Sequence, residues 1–89
     1  MQIKKLSKVF KALGSETRLK ILFTALKAPR CGKDLADIFG KDASTISRHL
    51  KELMDADLID VVRRGKEVCV VVPKKKLVKQ LLEIASKFG

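Results

Sequence analysis

The sequence predicts one mainly α-helical domain that carries a small β-hairpin. With 89 residues, the chain is too short for a second independent hydrophobic core. Apolar residues recur every three or four positions over most of its length, as they do on the buried faces of helices. This period changes after residue 57, where two short runs rich in β-branched residues flank a glycine. We therefore expect residues 1–89 to form a single domain.

Four helices are expected before the hairpin. The first covers Ile3 to Leu13, and the second follows Ser15, a favourable N-cap residue, and ends before Pro29. The third is short and ends at Gly40, whose conformational freedom suits a left-handed helix cap. The fourth covers Ala43 to Asp55. Two helices joined by a tight glycine turn are typical of a helix-turn-helix.

The hairpin consists of two predicted strands and is followed by a fifth helix. The strands cover Leu58 to Arg63 and Glu67 to Val72, and the short bridge at residues 30–32 is the candidate for a third strand beside them. Pro73 ends the hairpin, and apolar residues at helical spacing follow between Leu77 and Phe88. The resulting order, α-α-(β)-α-α-β-β-α, is that of a winged helix-turn-helix.

The composition favours a polyanionic partner. Lys and Arg total 20 against 10 acidic residues, which gives a net charge of +10 and points to nucleic acid or an anionic membrane surface. The longest apolar run, Val68 to Val72, is far too short to span a bilayer, and the N-terminus lacks the features of a signal peptide. We therefore expect a cytoplasmic protein with no membrane-spanning segment. Since the predicted order of elements is that of a winged helix-turn-helix, we expect the polyanionic partner to be double-stranded DNA and not a membrane.

The residues that catalysis would need are scarce. The chain has one His and two Cys, and its serines have no recognisable His and Asp partners. No glycine-rich phosphate loop or pair of carboxylates stands out. We therefore expect neither enzymatic activity nor a cofactor.

The fourth helix separates into an apolar and a polar side when its residues are placed at 100° intervals. The apolar side consists of Ile46, His49, Leu50, Leu53 and Met54, and the polar side of Ser44, Ser47, Arg48 and Lys51. Small side chains near the start of such a helix allow it to enter a major groove. There, Arg48 could donate two hydrogen bonds to guanine while Lys51 contacts phosphate. The alternative is an ordinary amphipathic helix with a solvated polar face.

A second basic cluster lies at the hairpin tip, where Arg63, Arg64 and Lys66 could contact the DNA backbone or minor groove. The alternative there is a solvated turn that discourages pairing of strand edges. Residues 31–60, which contain the helix-turn-helix, hold four basic and seven acidic side chains. Phosphate contacts would therefore come mainly from the flanking segments.

Two long stretches resemble one known family. "FKALGSETRLKIL" (10–22) and "DLADIFGKDASTISRHLKELMDADLI" (34–59), together with the basic hairpin, are similar to winged helix repressors of the ArsR/SmtB type. The resemblance implies a homodimeric transcriptional regulator that binds a palindromic operator. It places Ser44, Thr45, Ser47, Arg48 and His49 at DNA-reading positions and residues 63–66 in the wing. For His49, at the edge of the apolar side, we favour packing or a phosphate contact over a base contact.

Many members of that family sense metals, through a Cys-x-Cys pair before the third helix or through ligands on the last helix. Here Cys31 is present, but Lys33 stands where the second thiol belongs, and the last helix offers only Glu83. We therefore expect no metal site. If the bridge at residues 30–32 pairs with the strand that holds Cys69, the two cysteines could form a disulfide. In a reducing cytoplasm we instead expect two free thiols.

The last helix has more apolar residues than one buried face requires. Leu77, Leu81, Ile84 and Phe88 form one stripe, expected to face the core, while Val78, Leu82 and Ala85 form a second, expected to face a twin subunit. We predict a two-fold symmetric homodimer held by the terminal helices. Its interface would comprise Ile3, Leu6, Phe10, Val78, Leu81, Leu82, Ala85 and Phe88.

Together these features predict a sequence-specific, DNA-binding transcriptional regulator. The resemblance to winged helix repressors implies that it acts as a repressor. Two alternatives remain open at this stage. The net charge of +10 would equally suit an architectural protein that binds DNA of any sequence. The acidic balance of residues 31–60 would suit a winged helix that acts as a protein-interaction adaptor.

Overall fold

The computed structural model describes residues 2–89 and contains five helices and a three-stranded sheet, in the order predicted. The winged helix-turn-helix expectation is thus confirmed, including the third strand at the bridge between the second and third helices. In chain order the elements are α1 (Ile3–Leu13), α2 (Glu16–Lys27), β1 (Arg30–Cys31), α3 (Gly32–Phe39), α4 (Ala43–Asp55), β2 (Asp60–Arg64), β3 (Glu67–Val71) and α5 (Lys75–Ala85).

Side-chain caps set the starts of α2 and α4. The Ser15 hydroxyl accepts a hydrogen bond from the Arg18 backbone N–H at 3.2 Å, and Asp42 accepts one from the Thr45 N–H at 2.9 Å. Each bond satisfies a backbone donor that has no partner within its helix. Between α3 and α4, Gly40 adopts a left-handed conformation with φ of 61°. The turn of the helix-turn-helix therefore depends on a residue without a Cβ atom.

The sheet is antiparallel, and β3 lies at its centre in the order β1-β3-β2. Cys31 of β1 lies opposite Cys69 of β3, and on the other side of β3 Val62 lies opposite Cys69. Both Cys69 and its neighbour Val70 are buried, although their side chains point to opposite faces of the sheet. The apolar run predicted to be a central strand therefore has that position.

The core joins one face of each helix to the sheet. Its fully buried large side chains are Ile21, Leu22, Leu35, Ile46, Leu53, Val70 and Cys69. Leu35 of α3 and Ile46 and Leu53 of α4 hold the helix-turn-helix against α2 and β3. Because the apolar side of α4 packs against the core, its polar side faces solvent.

In α5 the core is contacted by Val78 and Leu82, which belong to the stripe predicted to face a twin subunit. Val78 is buried, with only 3% of its surface exposed, and Leu82 packs against the core. Leu77, Ile84 and Phe88 are instead 60%, 59% and 80% exposed. The prediction that Val78 belongs to the dimer interface is therefore wrong. Both stripes are apolar and adjacent on the helix, so their composition does not determine which of them faces the core.

The two cysteines form a disulfide that joins β1 to β3. This corrects the expectation of two free thiols and bears out the alternative pairing of Cys31 with Cys69. The strand register brings the residues together, since they lie directly opposite each other in the antiparallel pair. The bond also fixes the start of α3, because Cys31 occupies its N-cap position.

Candidate nucleic-acid interface

The polar side of α4 is exposed. Ser44, Ser47, Arg48 and Lys51 all face solvent, and Thr45 is half-buried. On the opposite side of the helix, Ile46, Leu50 and Leu53 are buried. The predicted division of this helix is therefore seen in the burial of its residues. Its exposed side presents two hydroxyls and then two cations, beginning at the N-terminal turn.

The first turn of α4 is capped by the Asp42 side chain. Hydrogen bonds from the side chain and the backbone N–H of Thr45 hold the pKa of Asp42 below its ordinary value, with smaller contributions from Ser44 and from the charge of Arg48. Asp42 is thus ionised at neutral pH and compensates part of the positive end of the helix dipole. We expect phosphate or base contacts at this end to involve the exposed hydroxyls of Ser44 and Ser47 and the guanidinium of Arg48.

A bridge between α1 and α4 was not predicted from the sequence. The Arg18 guanidinium donates to the carbonyl oxygens of Ala12 at 2.8 Å and Lys11 at 3.0 Å, near the end of α1. Its third contact is with Nδ1 of His49 in α4, at 3.3 Å. The two residues are 31 positions apart, so no local pattern in the sequence could have indicated their contact.

This contact determines the state of His49. Arg18 is always a donor, so Nδ1 accepts and the ring is neutral, with its proton on Nε2. Burial, followed by the positive charges of Arg18, Lys41 and Arg48, lowers the pKa of His49 below its ordinary value of 6.5. His49 is half-buried and lines a surface hollow together with Thr45, Arg48 and Lys51. The half-buried position of His49 agrees with the packing role expected from the sequence. The Nε2–H of His49 is also a candidate donor to phosphate.

The wing cations are exposed as predicted. Arg63 and Arg64 end β2, and Lys66 lies in the two-residue turn, where Gly65 has φ of 63°. A cavity of about 470 Å³ between α3, α4 and β3 is lined by both Lys66 and Ser47. The wing tip and the polar side of α4 therefore share one concave surface, although Arg63 and Arg64 do not line it.

The cations of this surface are not neutralised by neighbours. Within residues 2–89 the structure shows a single ion pair, between Glu16 and Lys20 on α2. Arg48 and Lys51 on α4, like Arg64 and Lys66 on the wing, thus keep their charge available for a polyanion. Over the same residues, the helices are too short and too polar to cross a membrane.

Comparison with known proteins agrees with this architecture. The family described as "Bacterial regulatory protein, arsR family" matches residues 15–61, which run from the cap of α2 into β2. A cadmium resistance transcriptional regulatory protein CadC homolog from Staphylococcus aureus is 36% identical over 80 residues, covering 89% of this chain and 65% of its own length. An arsenical resistance operon repressor from Bacillus subtilis is 38% identical over 64 residues, covering 71% and 61%. The chain thus spans slightly less than two thirds of these relatives.

Solved structures show the same fold. The homodimeric winged helix-turn-helix DNA-binding domain of a Mycobacterium bovis protein superimposes with a TM-score of 0.85 at 22% identity, covering 96% of this chain and 81% of that one. An ArsR-like transcriptional regulator from Rhodococcus sp. RHA1 gives a TM-score of 0.73 at 28% identity, covering 94% and 82%. The family match extends over more than half of the chain and includes the whole helix-turn-helix. The chain therefore belongs to the arsR family of bacterial regulatory proteins.

Proposed function

We propose that the protein is a transcriptional regulator, and not an enzyme, that binds double-stranded DNA sequence-specifically in the cytoplasm. The observation that carries this proposal is the exposed polar side of α4, with Ser44, Ser47, Arg48 and Lys51, next to an unpaired basic wing. Arg48 can read guanine in the major groove, while Lys51 and the wing contact phosphates. Repression is the expected outcome, since the relatives from B. subtilis and S. aureus include operon repressors.

A homodimer is part of the proposal. Ten large apolar side chains of the described residues are exposed, and six of them lie on α1, on α5 or just after it: Ile3, Leu6, Phe10, Leu77, Ile84 and Phe88. Exposed apolar side chains concentrated on two helices favour association. Leu81 and Leu82, which are half-buried, and the exposed Ala85 lie on the same helix and stay in the proposed interface. The M. bovis domain of the same fold is homodimeric.

The dimer predicts the form of the DNA site. A two-fold symmetric protein presents two copies of α4 to the same side of the duplex. Successive major grooves on one side are about 34 Å apart, so the operator should be an imperfect palindrome with half-sites one helical turn apart. Selection of bound duplexes from a random pool would reveal the preferred site and its symmetry.

Two arginine variants separate base reading from backbone contact. Arg48→Ala should weaken binding to the selected operator by about 1–3 kcal/mol and relax base preference at one position per half-site. Arg64→Ala should weaken binding to operator and random duplex alike, and should reduce the salt dependence of the affinity by about one phosphate contact. Lys27→Ala, on the exposed surface of α2, is the matched control and should change neither property.

The same titrations test the alternatives. Equal affinity for operator and random duplex would indicate an architectural DNA-binding protein, in which the charge of +10 alone drives binding. Undetectable binding at low salt would contradict DNA binding and favour a protein-interaction adaptor. Identical behaviour of the Arg48 and Arg64 variants would refute the assignment of the two roles.

A further inference from the structure

The cavity of about 470 Å³ between the helix-turn-helix and the wing has an apolar floor. Its most deeply buried lining residues are Ile46 and Leu50 of α4, next to the half-buried Ala36 of α3. Val68 of β3 adds a large apolar side chain that is 38% exposed. Cavities of this size, with an apolar floor and a few polar groups around it, are typical of small-molecule sites.

Charged side chains of both signs surround this floor. Lys33 and Asp37 lie four positions apart on α3 and therefore share one side of that helix, while Lys66 and Glu67 come from the wing. All four side chains are exposed. The one ion pair seen across residues 2–89 lies on α2 and involves none of them. Each wall of the cavity thus offers one unpaired cation and one unpaired anion.

The disulfide holds the two walls together. Gly32, which begins α3, directly follows Cys31, and Val68 directly precedes Cys69. Both lining residues are therefore attached to the bonded pair of cysteines. Gly32 also keeps the cavity open, since a Cβ at this position would lie 3.8 Å from the carbonyl oxygen of Val68. A site whose walls are fixed in advance loses little conformational entropy when a ligand binds.

We propose that this cavity binds a zwitterionic amino acid with a large apolar side chain. The four lining charges sum to zero, so they favour a molecule that carries both charges close together over a simple anion or cation. The apolar side chain of the ligand would cover the floor and lose its contact with water. Its carboxylate would accept hydrogen bonds from the lysines, and its ammonium would donate to Asp37 or Glu67.

The amino acid and DNA would exclude each other, a consequence that rests on the proposed function. The cavity is lined by Ser47 of α4 and Lys66 of the wing, and both belong to the surface proposed to contact DNA. A molecule bound between α4 and the wing would cover these two side chains. Each partner should then lower the affinity of the protein for the other by the same factor. The amino acid would thereby release the regulator from its operator.

Calorimetric titration of the full, disulfide-bonded chain with L-phenylalanine and with L-leucine tests the site without DNA. We expect one amino acid to bind per chain. In heteronuclear NMR spectra, the amide signals that shift should include those of Gly32, Ala36 and Ser47.

Three compounds serve as matched controls for L-phenylalanine. Phenylpropionate lacks the ammonium group, phenylethylamine lacks the carboxylate, and glycine lacks the apolar side chain. Each should bind at least about tenfold more weakly than L-phenylalanine, because each loses one of the three kinds of contact.

Variants test the charged residues. Asp37→Asn and Lys33→Gln should each weaken the binding of L-phenylalanine by about tenfold. Both positions are exposed, so the variants should fold, and their NMR spectra check this. Asp34→Asn, on the same helix but outside the cavity, and Lys41→Gln, in the turn that follows, are the controls and should bind as the unmodified chain does.

The outcomes that would overturn the proposal are distinct from a failure to bind DNA. They are no binding of either amino acid at millimolar concentration, shifts confined to residues outside the cavity, and equal affinity in Asp37→Asn and Asp34→Asn. Saturating L-phenylalanine should also weaken operator binding by the unmodified chain but not by Asp37→Asn, and an unchanged operator affinity in the unmodified chain would refute the mutual exclusion. A chain that binds no DNA would contradict the proposed function, whereas calorimetry and NMR would still decide whether the amino acid binds.

Discussion

Replacing Arg18 should destabilise the protein more than replacing Arg48, Arg63 or Arg64. In Arg18→Ala three hydrogen bonds are lost, to the carbonyl oxygens of Ala12 and Lys11 and to Nδ1 of His49. The bond to Ala12 is the shortest at 2.8 Å, and Ala12 is fully buried. A hydrogen bond to a charged donor contributes about 1.5–3 kcal/mol, and the two other contacts, which are longer or more exposed, should contribute less than 1 kcal/mol each. We expect a loss of about 2–4 kcal/mol in the free energy of unfolding.

Urea denaturation followed by circular dichroism measures this loss. All variants must be compared at one protein concentration, because association of folded chains shifts the apparent stability. Arg48→Ala is the control, since it removes an exposed arginine of α4 and should change stability by less than about 0.5 kcal/mol. Arg18→Lys keeps the charge but not the planar fork, and should recover part of the loss. Equal stability of Arg18→Ala and Arg48→Ala would refute the bridging role of Arg18.

Three further predictions concern pH, the turn and the dimer. The pKa of His49 in the folded protein lies below its unfolded value of 6.5. As the pH falls through 6.5, the unfolded chain therefore binds more protons than the folded one, and the free energy of unfolding should decrease. A pH series of urea midpoints should show this decrease, and His49→Gln should remove it. Gly40→Ala places a Cβ at a φ of 61° and should lower the free energy of unfolding by about 1–2 kcal/mol, measured by thermal or urea unfolding. Gly32→Ala, whose Cβ would make only ordinary contacts, should lower it little, and equal losses in the two variants would contradict the role of Gly40 in the turn. Phe10→Glu, at a 59% exposed position on α1, should give a monomer in analytical ultracentrifugation. Ile38→Glu, at a 53% exposed position on α3, is the control and should leave the dimer intact. A dimer in both variants would exclude α1 from the interface.

Elements with a local physical cause were predictable from the sequence. The caps Ser15 and Asp42 and the turn residue Gly40 act within their own helix ends, so their residue types indicate the boundaries directly. The polar side of α4 follows from helical periodicity together with the strongly apolar opposite side. The candidate DNA surface, from Ser44 to Lys51 and at the wing, is therefore predictable from the sequence.

Contacts between distant segments were not predictable with the same certainty. The Arg18–His49 bridge joins residues 31 positions apart, and the Cys31–Cys69 disulfide joins residues 38 positions apart. Both depend on how helices and strands pack, which the local pattern of residue types does not specify. The burial of Val78 has the same origin, because both stripes of α5 are apolar and only packing decides which of them faces the core.

The sequence by itself thus determined the order of the elements, the exposed side of α4 and the excess of positive charge, since each depends on residue type and on neighbours within a few positions. Only the tertiary structure decided the register of β1 on β3. That register brings Cys31, Cys69 and Glu67 together, although the sequence contains no local Cys-x-Cys pair. The physical reason is that such a cluster depends on distance in space, and strand pairing makes residues far apart in the chain immediate neighbours.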